Sequence, residues 1–447
     1  MDSLQKTVLF VDGGGRGSTL VDKYLQSPSV KTVLATPGND LMKINIKKPV
    51  KTFPKIKTTD IDNIIKICKK YKVDLIDVNQ DDAVAVGVVD ALKNQNFKAF
   101  GPSQVASQIE WDKAWARDFM KKFKIPSPKF KVCHSQKEGA NFINSQEEGE
   151  WFIKASGLAA GKGALYAASN KEALLKIHDM KNFGKSGETF VIEKCLHGEE
   201  FSAFAIVSGK DFKILGYAQD HKRAFDNDLG PNTGGMGCSS PPMVITPNIK
   251  KQVEFVFKKT VDDLVKTGRP YQGILYLGGM IIKEKKLARR SFSEGRVYVI
   301  EFNARWGDPE AQAIIPAIKN DFYELAEKVL GGKLNNIKIK TDSKYRIVVT
   351  AASKGYPGDY SQALGKQIFG LEKLLKLKDV KLFGGASKKT GKKLITSGTR
   401  LFYVMAEGKN VAEARQKAYN ALSLVSIEDN NLHYRQDIGW RDLERIK

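Results

Sequence analysis

Short apolar runs open the chain and return at regular intervals, separated by stretches whose apolar residues fall on one helical face. The segments "TVLFVDGGG", "TVLATPGND", "VDLIDVNQ" and "AFGPS" read as strands, and "STLVDKYLQS" and "AVGVVDALKNQ" read as helices between them. Strand, helix, strand repeated in this way predicts a parallel sheet with helices on both faces, covering the first hundred residues. Ligands of such sheets sit at the carboxyl ends of the strands, which here are Gly13 to Gly17, Pro37 to Asp40 and Asn79 to Asp82. The glycines do not make a dinucleotide site, because Ser18 stands where the third glycine belongs and the second strand ends at Ala35-Thr36 without the ribose-binding acid. A simple phosphate at the helix start remains possible.

The pattern changes after Gly101-Pro102. A long helix, "SQVASQIEWDKAWARDFMKKF", is predicted up to "KIPSPKF", then mixed strands and helices to about residue 330. After "GGKLNN" come further strands, a hairpin tip at "KKTGKKL" and one clear helix, "NVAEARQKAYNALSLV". The expected organisation is therefore α/β and α+β multidomain, with segments 1–103, 104–332 and 333–447.

Four stretches carry chemistry. In "WFIKASGLAAGKG", Lys154 closes a predicted strand and precedes a loop of small residues. The loop is not a Walker sequence, since three residues separate Gly157 from Gly161 and Gly163 follows Lys162 where Ser or Thr is required. A fixed lysine could still hold inner phosphates while Ala159 to Gly163 closes over outer ones. In "FVIEKCLHGEEFS", backbone groups around Lys194 to Leu196 can bond an adenine edge, with Glu193 or Glu200 meeting an amine or ribose hydroxyls. In "VYVIEFNARWGDPEAQ", period two puts Glu301, Asn303 and Arg305 on one face and Ile300, Phe302 and Ala304 on the other. A carboxylate and an amide carbonyl two residues apart are hard oxygen donors suited to Mg²⁺ with phosphate oxygens, and Arg305 can clamp a carboxylate. The polar, glycine-rich "QDHKRAFDNDLGPNTGGMG" suits a substrate loop carrying Asp220 and Lys222.

Composition narrows the rest. The chain has 447 residues and 42% hydrophobic content, enough for a substantial core, and a formal charge of +23 that favours polyanionic or phosphorylated ligands. Nearly half of that excess lies in residues 334–447, which show neither an RNP-type aromatic pattern nor a helix-turn-helix, so no dedicated nucleic-acid site is expected. Cys68, Cys133, Cys195 and Cys238 form no CxxC pair, and the five histidines fall at no metal-ligand spacing beside them. No export or membrane signal is visible, so a cytoplasmic setting is expected.

In this order, the helix lysine Lys113, "KASGLAAGKG", "IEKCLHGEE", "QDHKR…GPNTGGMG" and "EFNARWGDPE" resemble the phosphoribosylamine–glycine ligase family of ATP-grasp enzymes, and the likeness continues through "ASKGYPGDY" and "HYRQDIGWR". The resemblance implies a Rossmann-like amino domain, an ATP-grasp module and a small carboxy-terminal domain. It further implies that Lys113 and Lys154 hold the phosphates of ATP, that Gly161, Lys162 and Gly163 form the lid, that Glu193 and Leu196 meet adenine and Glu200 the ribose, and that Glu301 and Asn303 bind Mg²⁺ or Mn²⁺. Lys154 and Arg305 take catalytic positions, and Gly14, Gly15, Asp81, Asp220, Lys222, Arg305 and Asp308 line the site for glycine and 5-phosphoribosylamine in a monomer. Two stretches depart from the family. Gly14 to Ser18 reads Gly-Gly-Arg-Gly-Ser for the usual Gly-Gly-Arg-Glu-His, and Asn79-Gln80-Asp81 replaces Gly-Pro-Glu, with Asp81 keeping a shorter carboxylate. A longer hairpin, "KEKKLARRSFSEGR", precedes the metal-binding strand. The altered amino-terminal pocket leaves open a divergent ATP-grasp ligase with another amine, and the charge leaves open a nucleic-acid binder without catalysis.

Overall fold

The computed structural model describes residues 5–44, 46–159, 162–283 and 295–446; most of the predicted longer hairpin and Gly161 of the predicted lid lie outside them. The first segment forms a five-stranded sheet, all parallel, in the order Val50–Thr52, Val30–Pro37, Lys6–Asp12, Leu75–Val78, Ala99–Phe100. The chain runs outward in both directions from Lys6–Asp12, so the crevice of the sheet lies between that strand and Leu75–Val78. The loops predicted to share a pocket, at Gly13 to Gly17 and Asn79 to Asp82, leave the ends of these two strands. The first helix, Gly15–Leu25, starts inside the glycine run, three residues before the apolar pattern begins. Gly15 is required by packing, because a Cβ there would stand 2.2 Å from the Tyr403 ring and 2.4 Å from Gln312. A Cβ at Gly17 would lie 2.9 Å from Asp12.

The predicted long helix is two helices, Gln104–Trp111 and Lys113–Lys122. Asp112 breaks them: its extended backbone ends the first, and its carboxylate accepts from the N–H of Trp115 at 3.0 Å to cap the second. Ser156 completes the joint. Its carbonyl accepts from the N–H of Lys113 at 3.0 Å, and its hydroxyl accepts from the N–H of Ala114 at 2.9 Å and donates to Asp112 at 2.9 Å. Lys113 is thus the first residue of a helix stitched to the segment that follows Lys154.

A four-stranded antiparallel sheet, in the order Phe130–Cys133, Phe190–Lys194, Trp151–Ala155, Ala164–Ala167, carries its own small core of Cys133, Ile143, Trp151, Ile153, Phe190 and Ile192. The largest sheet runs Arg296–Asn303, Tyr271–Ile282, Glu199–Gly209, Asp211–Asp220, Gly237–Ser240, Tyr345–Ser353, Arg400–Gly408, Val380–Gly384, with Leu432–His433 paired to Tyr345–Ser353. The short strand Gly237–Ser240 bonds Asp211–Asp220 on one side and Tyr345–Ser353 on the other, so the last segment continues the sheet of the middle one. The predicted helix near the end is present as Val411–Leu422, capped by Asn410, and "KKTGKKL" forms the hairpin of Ser387–Thr390 with Lys393–Thr396. One apolar cluster joins all three segments through Phe10, Tyr24, Phe204, Tyr276, Trp306 and Tyr403. Phe204 stacks on Tyr276 at 4.5 Å and on Trp306 at 5.2 Å between ring centroids. Among the described residues, no helix is long and apolar enough to cross a membrane.

Burial perturbs the titration of Asp77 in the first sheet. Asp77 is buried beneath Tyr24, whose hydroxyl donates to it at 2.7 Å, and burial together with the nearby Asp12 raises its carboxyl to about 7. An unfolded aspartate titrates near 4, so between these values the native state holds one more proton than the unfolded chain. This contribution to stability is complete below pH 4 and is lost as pH rises through 7, by up to about 1.4 kcal/mol per pH unit. Urea unfolding at pH 5 and pH 8 should therefore show a steeper fall for the native protein than for Asp77→Asn; parallel slopes would remove Asp77 from the titration.

Candidate active site

The strand Arg296–Asn303 lies at the edge of the large sheet and carries the polar face predicted for a cation. Glu301 pairs with Gly278, but Val299 pairs with Gly279, so Ile300 is an inserted bulge residue. The bulge changes the predicted alternation: Val297, Val299 and Phe302 enter the core, while Ile300 joins Glu301 on the open side, where it lines a concavity with Glu200, Ser202, Asp220, Lys222 and Gly278.

Burial alone would push the Glu301 carboxyl up, but Lys222, Lys154 and Lys113 around it, with a hydrogen bond of 3.3 Å from the amide of Asn303, hold it at about 2. It is a carboxylate at every physiological pH. The Asn303 carbonyl accepts from Arg305 at 3.2 Å, and Arg305 is anchored on Glu110 at 2.9 Å. Glu110 also accepts from the N–H of Ala304 at 2.7 Å, which locks the turn after the strand.

Each lysine arrives from a different element. Lys154, on Trp151–Ala155, pairs with Glu193 of the neighbouring strand at 2.8 Å, and both are buried. Lys222, after the strand Asp211–Asp220, pairs with Glu200 at 3.0 Å, and that carboxylate raises its ammonium well above the usual lysine range. Lys113 donates to the carbonyl of Gly157 at 3.2 Å, and burial, with Lys154 opposite, lowers its ammonium. Glu193 does not present a free carboxylate for an adenine amine: its second oxygen receives Arg117 at 2.6 Å. Burial would raise Glu193, and the two cations hold it below the ordinary glutamate range.

Arg117 is the residue that the sequence reading missed. It is buried, it donates to Glu193, and it reaches the carbonyls of Val299 at 3.1 Å and Ile300 at 2.5 Å on the strand of Glu301. Its position four residues after Lys113, on the same helical face, was the available signal. Leu196 stands in the loop after Phe190–Lys194. Lys162 is exposed, and the carbonyl of Gly163 accepts from Ala155 at 2.8 Å, which ties the end of the loop to the strand of Lys154.

The other predicted residues gather at the crevice of the parallel sheet. Gly14 caps the first helix and donates its N–H to Asp12. Asp81, mostly buried, is nonetheless held low by Arg305 and Arg16. Asp308 accepts from the N–H of Arg16 at 3.3 Å, from Gln312 at 3.0 Å and from Arg400, 3.3 Å away. Arg16, in the first divergent stretch, binds Asp12 at 2.7 Å, the carbonyl of Trp306 at 3.2 Å and the side chain of Gln80 in the second. Asp220 lies between the two groups; burial and the nearby Glu310 raise its carboxyl, and one of its oxygens has no hydrogen-bond partner. Lys113, Lys154, Lys222, Asn303 and Arg305 thus surround Glu301, and Asp81 and Asp308 face Arg16; Gly161 lies outside the described residues.

Three antiparallel and parallel sheets arranged so that opposed lysines face a carboxylate–amide pair define an ATP-grasp ligase. The chain matches the phosphoribosylglycinamide synthetase N domain over residues 6–110, its ATP-grasp (A) domain over 111–311 and its C domain over 346–441. It is 37% identical to phosphoribosylamine–glycine ligase of Caldanaerobacter subterraneus subsp. tengcongensis over 440 residues, covering 97% of this chain and 99% of that one. It is 36% identical to the human trifunctional purine biosynthetic protein adenosine-3, covering 97% of this chain but 42% of that longer protein. The crystal structure of phosphoribosylamine–glycine ligase from Thermotoga maritima superimposes with a TM-score of 0.79 at 28% identity, over 97% of this chain and 100% of that one. The chain belongs to the phosphoribosylamine–glycine ligase family.

The buried triad of Arg117, Glu193 and Lys154 sets a test. Glu193→Ala leaves two buried cations without their counter-charge and should cost about 3–5 kcal/mol in urea unfolding. A loss below 1 kcal/mol would show that water enters the triad.

Proposed function

We propose that the chain joins glycine to 5-phosphoribosylamine at the expense of ATP, giving glycinamide ribonucleotide, ADP and phosphate. The observation that carries this reading is the set of lysines, 113, 154 and 222, facing the deprotonated Glu301 and supported by family membership over nearly the whole chain. ATP-grasp enzymes use ATP with a divalent ion. Glu301 and the Asn303 carbonyl are oxygen donors fit for Mg²⁺ or Mn²⁺, and they would hold the ion, whose chemistry is to neutralise phosphate charge.

The glycine carboxylate attacks the γ-phosphorus, the bond to the β-phosphate oxygen breaks, and ADP leaves. The amine of phosphoribosylamine then attacks the glycyl phosphate carbonyl, and phosphate departs. Lys113 and Lys154 bind the phosphates and spread the charge that develops on them, while Arg305, fixed by Glu110, orients the glycine carboxylate. Leu196 and the backbone beside Glu193 take the adenine, Glu200 the ribose, and Gly161 to Gly163 cover the phosphates. Gly14, Gly15, Asp81 and Asp308 form the phosphoribosylamine side, with Asp220 and Lys222 between the substrates. Segment 1–103 supplies that side, 104–332 the nucleotide and ion, and 333–447 the closing wall, in a cytoplasmic monomer.

A second reading, another amine in the same chemistry, is favoured by the altered stretches at 14–18 and 79–81. One assay separates the two: phosphate release from ATP with glycine, Mg²⁺ and phosphoribosylamine generated in situ. Turnover should require all four components, and equal turnover with an unrelated amine would transfer the assignment. Glu301→Ala should lower kcat on the order of 10²-fold or more with the far-ultraviolet circular dichroism unchanged; near-native kcat would overturn the role of Glu301.

A further inference from the structure

Away from the lysine cleft, Glu150, Cys195 and His197 each turn a ligand atom toward a common point, and the three atoms lie within 4.8 Å of one another. No metal spacing surrounds the cysteines in the chain because the third ligand, Glu150, lies just before the neighbouring strand Trp151–Ala155. The N–H of Cys195 donates to the carbonyl of Glu150 at 2.9 Å, extending the ladder whose last pair is Trp151 with Lys194. This register puts the thiol beside the carboxylate, and the ring of His197 stands 3.4 Å from Glu150. Tyr166 donates its hydroxyl to the other oxygen of Glu150 at 2.6 Å, the type of outer hydrogen bond that orients a ligating carboxylate. Cys195 is a free, half-buried thiol and His197 is exposed, so an ion can reach both.

A thiolate, an imidazole and a carboxylate make a soft, mixed donor set that suits Zn²⁺ and Co²⁺ and disfavours Mg²⁺. We propose that Glu150, Cys195 and His197 form a binding site for a divalent transition ion of the zinc class, with Tyr166 positioning Glu150. Three protein ligands leave a fourth tetrahedral position for water. On loading, Cys195 gives its proton to solvent and a sulfur–metal bond replaces the S–H bond; a ring nitrogen of His197 and one oxygen of Glu150 each donate a lone pair. Burial and the neighbouring Glu150 push the free thiol up to about 11, so uptake at neutral pH releases a proton. The bound ion cross-links the entry of Trp151–Ala155 to the exit of Phe190–Lys194.

The test is a Co²⁺ titration of the full chain with Mg²⁺ in excess. The expected result is one equivalent bound with a thiolate-to-cobalt charge-transfer band in the near ultraviolet. Cys195→Ser, shown to be folded by circular dichroism, should abolish the band, and His197→Ala and Glu150→Gln should each weaken Co²⁺ at least about tenfold. Zn²⁺ should raise the melting temperature of the native chain and leave that of His197→Ala unchanged. No band in the native chain, or a band that survives Cys195→Ser and so arises from the buried Cys68, Cys133 or Cys238, overturns the proposal.

Discussion

Four cations, Lys113, Lys154, Lys222 and Arg305, converge on one buried carboxylate, Glu301, and the arrangement of the cleft follows from how that imbalance of charge is held. Three of them have a carboxylate of their own: Lys154 has Glu193 at 2.8 Å, Lys222 has Glu200 at 3.0 Å and Arg305 has Glu110 at 2.9 Å. The two buried pairs hold their side chains because removing either partner would strand an uncompensated charge, while the half-exposed Lys222–Glu200 pair is screened by water and holds less firmly. Glu301 is shared among them and excluded from private pairing, so it stays charged and open to a further positive ligand. The four-stranded sheet, the large sheet and the helices Gln104–Trp111 and Lys113–Lys122 each contribute to this balance.

Much of this was legible in the chain. The parallel sheet followed from strand and helix periodicity, and the polar positions Glu301 and Asn303 from alternation on one strand. The loops at Gly13 to Gly17 and Asn79 to Asp82 followed from the rule that strand ends hold ligands. Four features were not legible, each for a physical reason. The break at Asp112 is made by a cap whose partner, Ser156, is distant in sequence. The bulge at Ile300 depends on the register of the paired strand. The burial of Arg117 depends on strand carbonyls that no local pattern marks, and the convergence of Glu150 with Cys195 depends on which strands are neighbours.

The two stretches that depart from the family are spatial neighbours. Arg16 of the first bonds Gln80 of the second as well as Asp12 and the carbonyl of Trp306, and Gly17 leaves room for Asp12 where a side chain would collide. Arg16, which the family shares, thus ties the replaced Gln80 to the parallel sheet and to the loop that leads from Arg305 to Asp308.

Arg117 has a mechanical meaning. It belongs to a helix between the two antiparallel sheets and holds a carboxylate of the smaller sheet and two main-chain carbonyls of the larger one at the same time. Tilting the smaller sheet as a jaw must either rotate about this guanidinium or tear its charge-assisted bonds, at about 1.5–3 kcal/mol each. A pin of that strength keeps the strand of Glu193 in register with the strand of Glu301 while leaving swing about its own axis as the cheap direction of motion.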